Sequence, residues 1–367
     1  MFGTLQKIGR SLMLPIAVMP AAGILARLGH PDMLNQPWLA DAGGAIFGNL
    51  PLLFAIGVAV GFTPDVGTAG LSAAVGYWVF TKVLVDISVL AYGDAGKTVD
   101  MGVLSGILMG LLAASLYDRF HKVKLPPWLA FFGGKRFVPM ITAASAVIMG
   151  VVFGLIWYWP GQGLAWVANW ATGAGPLGAA VHALLNRLLL PLGLHHVLNT
   201  VVWQQFGDMP RFFSSHGTEG GLFMTGFFPI MMFGLPAAVF AMIQAAKPQN
   251  KQAVSGVLVS AAITSFVTGV TEPIEFAFMF VAPVLYVVHA VLAAASAYIT
   301  IALGTRSGFG FSAGFIDFAL NFNISTKPLL LVGIGLAFAV LYYVLFSILI
   351  RALDIPTPGR EPELTEE

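Results

Sequence analysis

Two glutamates, Glu272 and Glu275, lie in the apolar stretch "FVTGVTEPIEFAFMFVAP", residues 266–283. An ionised carboxylate at the centre of a bilayer costs about 2.5 to 3.5 kcal/mol on insertion scales, so such residues face a protein interior or a wet cavity. Pro273 lies between the two and favours extended backbone at the residue before it. The segment "GVTEP" therefore predicts a turn. The structural alternative is that one glutamate caps the next helix, with Pro273 in its first turn.

A second polar cluster, "RLLLPLGLHHVLN", contains Arg187, His195, His196 and Asn199 in an apolar segment that is broken by proline and glycine. A single histidine on an apolar face is usually a satisfied core residue, and that alternative stays open here. Adjacent histidines beside an arginine and an asparagine are harder to explain in this way. With Glu272, the cluster offers donors and acceptors for several hydroxyl groups, so it predicts a sugar site.

Three other polar residues give weaker signals. Asp317 in "FSAGFIDFALNFN" either supports the site or is a structural cap. Lys135 and Arg136 in "FFGGKRFVP" either anchor the topology or contact an anionic or phosphorylated partner.

The chain shows no convincing motif for a metal or a cofactor. No metal-ligand spacing is convincing, no P-loop is present, and no strand precedes "GFGFSAG", so that segment is not a dinucleotide fingerprint. The sequence therefore predicts neither a metal nor a cofactor.

The elements that position these residues follow from composition. Of 367 residues, 57% are hydrophobic and only 10% are charged, and the mean hydropathy is +0.85. Soluble domains are about 25% charged. The apolar runs approach the ~20 residues of a membrane-crossing helix and do not alternate as barrel strands do. The sequence therefore predicts an all-α, polytopic membrane protein with about ten transmembrane helices.

The apolar runs and their breaks predict the order of elements. The first run lacks a small-residue cleavage site and is expected to be a retained helix. Segments 183–206 and 266–282 combine glycine and proline breaks with polar residues, so we expect two re-entrant hairpins whose tips meet at a substrate site. The Trp- and Gly-rich stretch 159–178 predicts an interfacial helix and turn. Spans are predicted near 11–28, 45–62, 66–90, 100–117, 138–159, 224–246, 253–267, 280–304 and 328–350.

Basic residues predict the orientation. Lys7 and Arg10 precede the first span, others cluster in 118–137, and Arg351 and Arg360 follow the last span. By the positive-inside rule these stretches, and both termini, are expected to be cytoplasmic. The polar residues 356–367 predict a solvated cytoplasmic linker. The chain contains no cysteine, so it has no disulfide or thiol chemistry of its own.

Several motifs in order, "FFGGKRFVP", "GLHHVLN", "MTGFFPIMMFGLPAA", "GVTEPIEFAFMFVAP" and the terminal "TPGRE", resemble the glucose family of bacterial phosphotransferase-system (PTS) permeases, the membrane component enzyme IIC (EIIC). The resemblance covers essentially the whole chain. "LNRLLLPLGLHHVLNTVVW" and "FSAGFIDFALNFN" are similar to the N-acetylglucosamine type rather than the glucose type. Two departures are a shorter stretch between "WQQFGDM" and "GGLFMTG", and His196, where this type can have glutamine.

The resemblance implies the glucose-superfamily EIIC fold and group translocation. External N-acetylglucosamine, or alternatively glucose, would move inward and receive a phosphoryl group on its 6-hydroxyl from a phosphocysteine of EIIB. The chain would then be the membrane component of a sugar phosphotransferase supplied by EIIA, HPr and enzyme I. Without cysteine it is expected to contain no EIIB domain, so EIIB would be a separate or removed part. The resemblance also implies a homodimer embedded in the lipid of the bacterial inner membrane, and it implies no nucleic-acid partner.

The resemblance further implies a division of the chain and a role for each residue. Residues 1–355 would form the EIIC domain, with a scaffold and dimerisation part over about 1–160 and a sugar-binding transport part over 161–350. The roles that the resemblance implies are catalysis and sugar binding for Glu272 and His195, sugar binding or orientation for Arg187, His196 and Asn199, a gate or EIIB docking for Lys135 and Arg136, and support for Glu275 and Asp317.

An ion-coupled secondary transporter, which also uses buried Glu and His in broken helices, is the alternative from a different class.

Overall fold

The computed structural model describes Ser11, Pro15 and residues 17–360. In this part of the chain the elements are helical, and the only β pairing is one isolated bridge between Arg306 and Thr326. The all-α prediction is therefore confirmed for these residues. Lys7, Arg10 and most of the predicted linker lie outside them. The α-helices are α1 Met19–Leu28, α2 Pro37–Gly48, α3 Leu50–Phe62, α4 Val66–Tyr92, α5 Val103–Phe120, α6 Phe137–Ile156, α7 Tyr158–Gly173, α8 Pro176–Leu189, α9 His195–Thr200, α10 Asp208–Ser214, α11 Leu235–Ala245, α12 Pro248–Thr268, α13 Glu272–Met279, α14 Pro283–Ala302, α15 Phe315–Leu320 and α16 Pro328–Ala352.

Six helical segments of the described chain are long and apolar enough to cross a membrane. A seventh crossing results if α2 and α3, bent by 51° at their junction, count as one span. The chain is thus a multi-pass membrane protein. The total of about ten crossings and the two re-entrant hairpins stay predictions. The six segments are Val66–Gly96, Val103–Phe120, Gly134–Ile156, Pro248–Thr268, Pro283–Ala302 and Pro328–Ala352.

The chain forms two compact units. Unit 1 contains the described residues up to 29, residues 36–169 and residues 192–201. Within it α4 packs on α6 and α3 packs on α5. The predicted division near residue 160 and the functions assigned to its two parts stay predictions.

Glycines allow the α3–α5 contact in unit 1. A Cβ atom at Gly106 would lie 1.9 Å from the carbonyl oxygen of Pro51, and one at Gly110 would lie 2.6 Å from that of Ala55. Small residues at such spacing let helix backbones approach closely inside a membrane. Any larger side chain at Gly106 would force the two helices apart.

Unit 2 contains residues 30–35, 170–191 and 202 onward. Here α8 packs on α14, and α11 packs on α16. The predicted span near 224–246 is irregular at its start, because a π turn, Pro229–Gly234, precedes α11. The hydroxyl of Ser265 donates to the carbonyl of Met231 in that turn over 2.6 Å. A side chain thus satisfies a backbone group that the turn leaves outside regular helix.

Candidate functional site

The predicted site residues are distributed over both units. Arg187, Glu272, Glu275 and Asp317 belong to unit 2. The residues of unit 1 are His195, His196, Asn199, Lys135 and Arg136.

The predicted turn in "GVTEP" lies between α12 and α13. Gly269 has φ +75°, a left-handed conformation that favours glycine, and it ends α12. Helix α13 begins at Glu272, with Pro273 in its first turn and Thr271 at the N-cap position. Glu272 therefore begins the helix, and the residue at the capping position is Thr271.

Asp317 organises a loop that supports this turn. Its carboxylate accepts hydrogen bonds from the backbone N–H groups of Gly310 at 2.7 Å and Ser312 at 3.3 Å. The hydroxyl of Ser312 in turn donates to the carbonyl of Gly269 over 2.8 Å. Burial raises the pKa of Asp317 to about 6, against the opposing effect of the N–H donors. Asp317 thus acts through the loop on the turn that precedes Glu272.

Glu275 is the centre of a buried polar network in unit 2. Its side chain is 0% exposed, and its Oε1 forms an ion pair with Nη1 of Arg187. The same oxygen lies 3.0 Å from Nε2 of His289, and Oε2 accepts from the hydroxyl of Thr271 at 3.1 Å. A buried carboxylate is tolerated when it is paired and hydrogen-bonded in this way. Glu275 therefore connects α13 to α8 and α14.

The network extends from His289 to the last helix. Nδ1 of His289 lies 2.8 Å from the hydroxyl of Tyr342 on α16, and neither residue is exposed. A neutral imidazole with its proton on Nε2 donates to Glu275 and accepts from Tyr342, which satisfies both contacts. Tyr286 donates its hydroxyl to the backbone carbonyl of Arg187. Helices α8, α13, α14 and α16 are thus joined by one set of polar contacts.

Arg187 is almost fully buried and lies over an aromatic ring. Its guanidinium carbon is 5.1 Å from the ring centroid of Phe227, and the residue is 2% exposed. The cation–π contact and the Glu275 pair together hold the positive charge in an apolar environment. Arg187 is therefore oriented by its own unit rather than by solvent.

Sequence reasoning missed His289 and Tyr342. His289 had a usable signal, because it is the one histidine in the run "VLYVVHAVLAA", which contains no Asp, Glu, Lys or Arg, and such residues within apolar helices mark functional or paired positions. Tyr342 in "AVLYYVLF" had none, because tyrosine is common in such runs.

The two glutamates differ in burial. Glu275 is enclosed by the network, whereas Glu272, at the start of α13, is half-buried. This difference corresponds to the predicted division into one support and one ligand. The roles themselves stay predictions.

In unit 1 three members of the predicted cluster, His195, His196 and Asn199, lie on the short helix α9, whereas Arg187 lies on α8 in unit 2. The rings of His195 and His196 lie 3.8 Å apart, centroid to centroid, at 38°. His195 and Asn199 are buried, and His196 is half-buried. Gly193, with φ +70°, precedes the helix and separates it from the preceding segment. The predicted break in "LLLPLGLHH" is therefore present.

The predicted gate residues lie before α6. Nζ of Lys135 is 2.7 Å from Oδ2 of Asp65, the residue that caps α4 by accepting from the N–H of Thr68 at 3.2 Å. The hydrogen bond from Lys135 lowers the pKa of Asp65, and the N–H of Thr68 lowers it further. Arg136 lies over the ring of Phe131 at 4.5 Å. These contacts tie the loop before α6 to the start of α4.

Comparison with known proteins gives consistent matches. The family model described as "Phosphotransferase system, EIIC" matches residues 9–294. The chain is 50% identical over 390 residues to the PTS N-acetylglucosamine-specific EIIC component of Streptomyces coelicolor, covering 99% of this chain and 94% of that protein. It is 48% identical to the N-acetylglucosamine-specific EIICB component of Bacillus subtilis, covering 100% of this chain and 81% of that protein. For the N-acetylglucosamine-specific EIICBA component of Escherichia coli the identity is 46%, covering 99% of this chain and 57% of that protein.

Proposed function

Since the chain belongs to the phosphotransferase-system EIIC family, we propose that this membrane sugar-transport subunit binds external N-acetylglucosamine and carries it inward for phosphorylation at the 6-hydroxyl. The observation that carries the substrate assignment is the agreement among relatives. Three proteins at 46 to 50% identity, from three organisms, have names that specify N-acetylglucosamine. The motifs "LNRLLLPLGLHHVLNTVVW" and "FSAGFIDFALNFN" support the same substrate.

We assign Glu272 as the carboxylate that binds the sugar. Glu275 is already paired with Arg187 and hydrogen-bonded to His289, so its charge is neutralised inside unit 2. Glu272 lies half-buried on the first turn of α13. Arg187 then acts on the sugar indirectly, because it orients Glu275 and with it the start of α13.

The chemistry asked of Glu272 is limited. Phosphoryl transfer depends mainly on positioning and on electrostatic stabilisation of the transferred group. A carboxylate that accepts a hydrogen bond from the 6-hydroxyl orients the oxygen for attack on phosphorus. It takes the proton as the O–P bond forms and the bond from phosphorus to the cysteine sulfur of EIIB breaks, with the thiolate as leaving group. His195 serves as the second polar partner, with His196 and Asn199 binding other hydroxyl groups or the acetamido group.

The phosphoryl donor in this proposal is phosphorylated EIIB. Relatives named EIICB and EIICBA support such a pairing, which places EIIA, HPr and enzyme I upstream. Lys135 and Arg136, which precede α6, supply positive charge for the gate or for docking of the phosphorylated partner. The functional assembly is a homodimer in the cytoplasmic membrane, with both termini in the cytoplasm.

Sealed vesicles containing the chain test the mode of transport. We expect labelled N-acetylglucosamine to accumulate only as its 6-phosphate, and only when phosphorylated EIIB is present on the cytoplasmic side. Accumulation of unmodified sugar driven by a proton or sodium gradient, without EIIB, would instead support the ion-coupled transporter and refute group translocation.

A thermal-shift panel on the purified chain tests the substrate. We expect stabilisation by N-acetylglucosamine and a smaller effect from glucosamine, glucose and maltose, because only the first carries the acetamido group. Stabilisation by glucose alone would transfer the assignment to a glucose permease.

A further inference from the structure

A cluster of three metal-binding side chains lies in unit 2, on residues that the proposed transport function does not use. His30, Asp32 and His216 each offer one ligand atom, and these atoms all lie within 4.8 Å of one another. His30 and Asp32 belong to the short segment 30–35, and His216 follows α10. Asp32 and His216 are exposed and His30 is half-buried, so the cluster lies at the surface of the unit.

The first two ligands come from one compact turn. The carbonyl of His30 accepts hydrogen bonds from the N–H groups of Met33 and Asn35, both at 3.0 Å. Asn35 closes the turn with φ +50°, a conformation that asparagine tolerates. A turn of this kind keeps His30 and Asp32 next to each other in space.

The third ligand is held by an anchored loop. The hydroxyl of Ser215 donates to the carbonyl of Glu219 and accepts from its N–H, both at 2.9 Å. On the other side, the N–H of Gly217 donates to the carbonyl of Phe212 at 2.9 Å, and the hydroxyl of Thr326 donates to the carbonyl of Gly217 at 3.1 Å. His216 between them has φ +51°. The contacts on both sides therefore hold His216 in the left-handed region, which few non-glycine residues adopt but which histidine tolerates better than most.

We propose that His30, Asp32 and His216 bind a divalent transition-metal ion, with Zn²⁺ as the first choice. Two imidazole nitrogens and one carboxylate are the ligand types of open zinc sites, in which water completes the coordination. Calcium and magnesium select oxygen ligands instead. With metal–ligand distances of about 2.0–2.2 Å, two ligands of a tetrahedral ion lie ~3.4 Å apart. The ligand atoms lie within 4.8 Å of one another. Side-chain rotations that move each atom by less than ~1 Å bring them to the tetrahedral separation.

The bound ion would join the turn 30–35 to the loop after α10. The rings of His30 and His216 already face each other edge to face, at 6.3 Å and 84°, and the ring of Phe213 lies 6.3 Å from that of His30. Spacing along the chain does not reveal the set, because its members come from two distant segments. Exposure of two ligands implies that a chelator removes the ion without unfolding the protein.

Metal binding to the purified full chain in detergent tests the proposal. After treatment with a chelator, equilibrium dialysis against Zn²⁺ should give about one ion per chain, and Co²⁺ should give the intense visible absorption of a tetrahedral site. His30→Gln, Asp32→Asn and His216→Asn should each weaken Zn²⁺ binding at least ~10-fold. Asparagine is chosen at His216 because it tolerates positive φ. His121→Gln, which changes a histidine of unit 1, is the control and should bind as the parent does.

Two results would overturn the proposal. One is the absence of saturable Zn²⁺ binding to the folded parent chain below ~100 μM. The other is binding that is unchanged in His216→Asn but lost in His195→Gln, which would place the ion at the adjacent histidines of α9. Size-exclusion elution confirms that each variant is folded. The metal-binding assay contains neither sugar nor EIIB. A negative result there does not bear on the proposed transport function, and a negative transport result does not bear on the metal site.

Discussion

Glu275 and His289 share a hydrogen bond of 3.0 Å between Oε1 and Nε2 at a point where neither side chain is exposed. The contact joins the first turn of α13, which also carries Glu272, to the first half of α14. Arg187 neutralises the same carboxylate. The start of α13 is therefore held by polar contacts from two other helices.

The same substitution should affect different properties at the two glutamates, stability at Glu275 and sugar binding at Glu272. Glu275→Gln removes the charge that faces buried Arg187, so we expect about 3–5 kcal/mol of destabilisation, read as a lower thermal midpoint in detergent. Glu272→Gln should lower the midpoint less than Glu275→Gln does, because Glu272 is only half-buried, and it should weaken N-acetylglucosamine binding at least ~10-fold, the loss of a hydrogen bond to a charged group. Each variant is the control for the other. Unchanged sugar binding in Glu272→Gln would refute its role as the sugar carboxylate.

His289 and Tyr342 should be energetically coupled. His289→Gln and Tyr342→Phe each remove one side of the 2.8 Å contact, so the double variant should lose less stability than the sum of the single losses. We expect a coupling energy of about 0.5–1.5 kcal/mol from unfolding of the four proteins in detergent. Strict additivity would mean that the contact contributes nothing to stability.

Ser312 should influence sugar binding from outside the site. Ser312→Ala removes the hydrogen bond to the carbonyl of Gly269, which loosens the turn before Glu272. We expect about 1 kcal/mol of lost affinity, roughly five-fold, by isothermal titration with N-acetylglucosamine. Ser255→Ala is the matched control, because within the described part of the chain that hydroxyl bonds only to the carbonyl of Lys251 on its own helix. Equal affinities in the two variants would show that the loop does not act on the site.

Stability should fall as pH rises through the mildly acidic range. Burial raises the pKa of both Asp208 and Asp317 to about 6, from 3.8 in the unfolded chain. Between about pH 4 and 6 the folded state therefore binds more protons than the unfolded state, and the free energy of unfolding decreases with increasing pH. Above about pH 6 these two groups no longer change the free energy of unfolding with pH. In the double variant Asp208→Asn, Asp317→Asn, the thermal midpoint should change less between about pH 4 and 6 than in the parent. An unchanged pH dependence would show that these two carboxyl groups do not cause it.

Lys135 should matter for phosphoryl transfer and not for sugar binding. Lys135→Gln removes positive charge before α6 and the contact with Asp65. We expect a reduced rate of sugar phosphorylation by phosphorylated EIIB, with the affinity for N-acetylglucosamine retained. Lys82→Gln breaks another exposed pair, with Asp86 on α4, and should leave both quantities as in the parent. Equal transfer rates in the two variants would assign Lys135 to topology alone.

The amino-acid sequence by itself determined the helical class, the membrane location and the turn before Glu272. These properties depend on local signals, namely apolar runs and the placement of glycine and proline, which act over a few residues of backbone. The sequence also singled out both glutamates, because carboxylates in apolar segments are expensive and therefore conspicuous.

Only the tertiary structure decided what each carboxylate contacts. Glu275 meets Arg187 across 88 residues of chain, and His289 meets Tyr342 across 53. Such pairings depend on how helices pack, and no local pattern encodes the rotation of one helix against another. For the same reason the metal-binding cluster of His30, Asp32 and His216 had no signature in residue spacing. Burial, which makes these polar contacts necessary, exists only once the helices have packed.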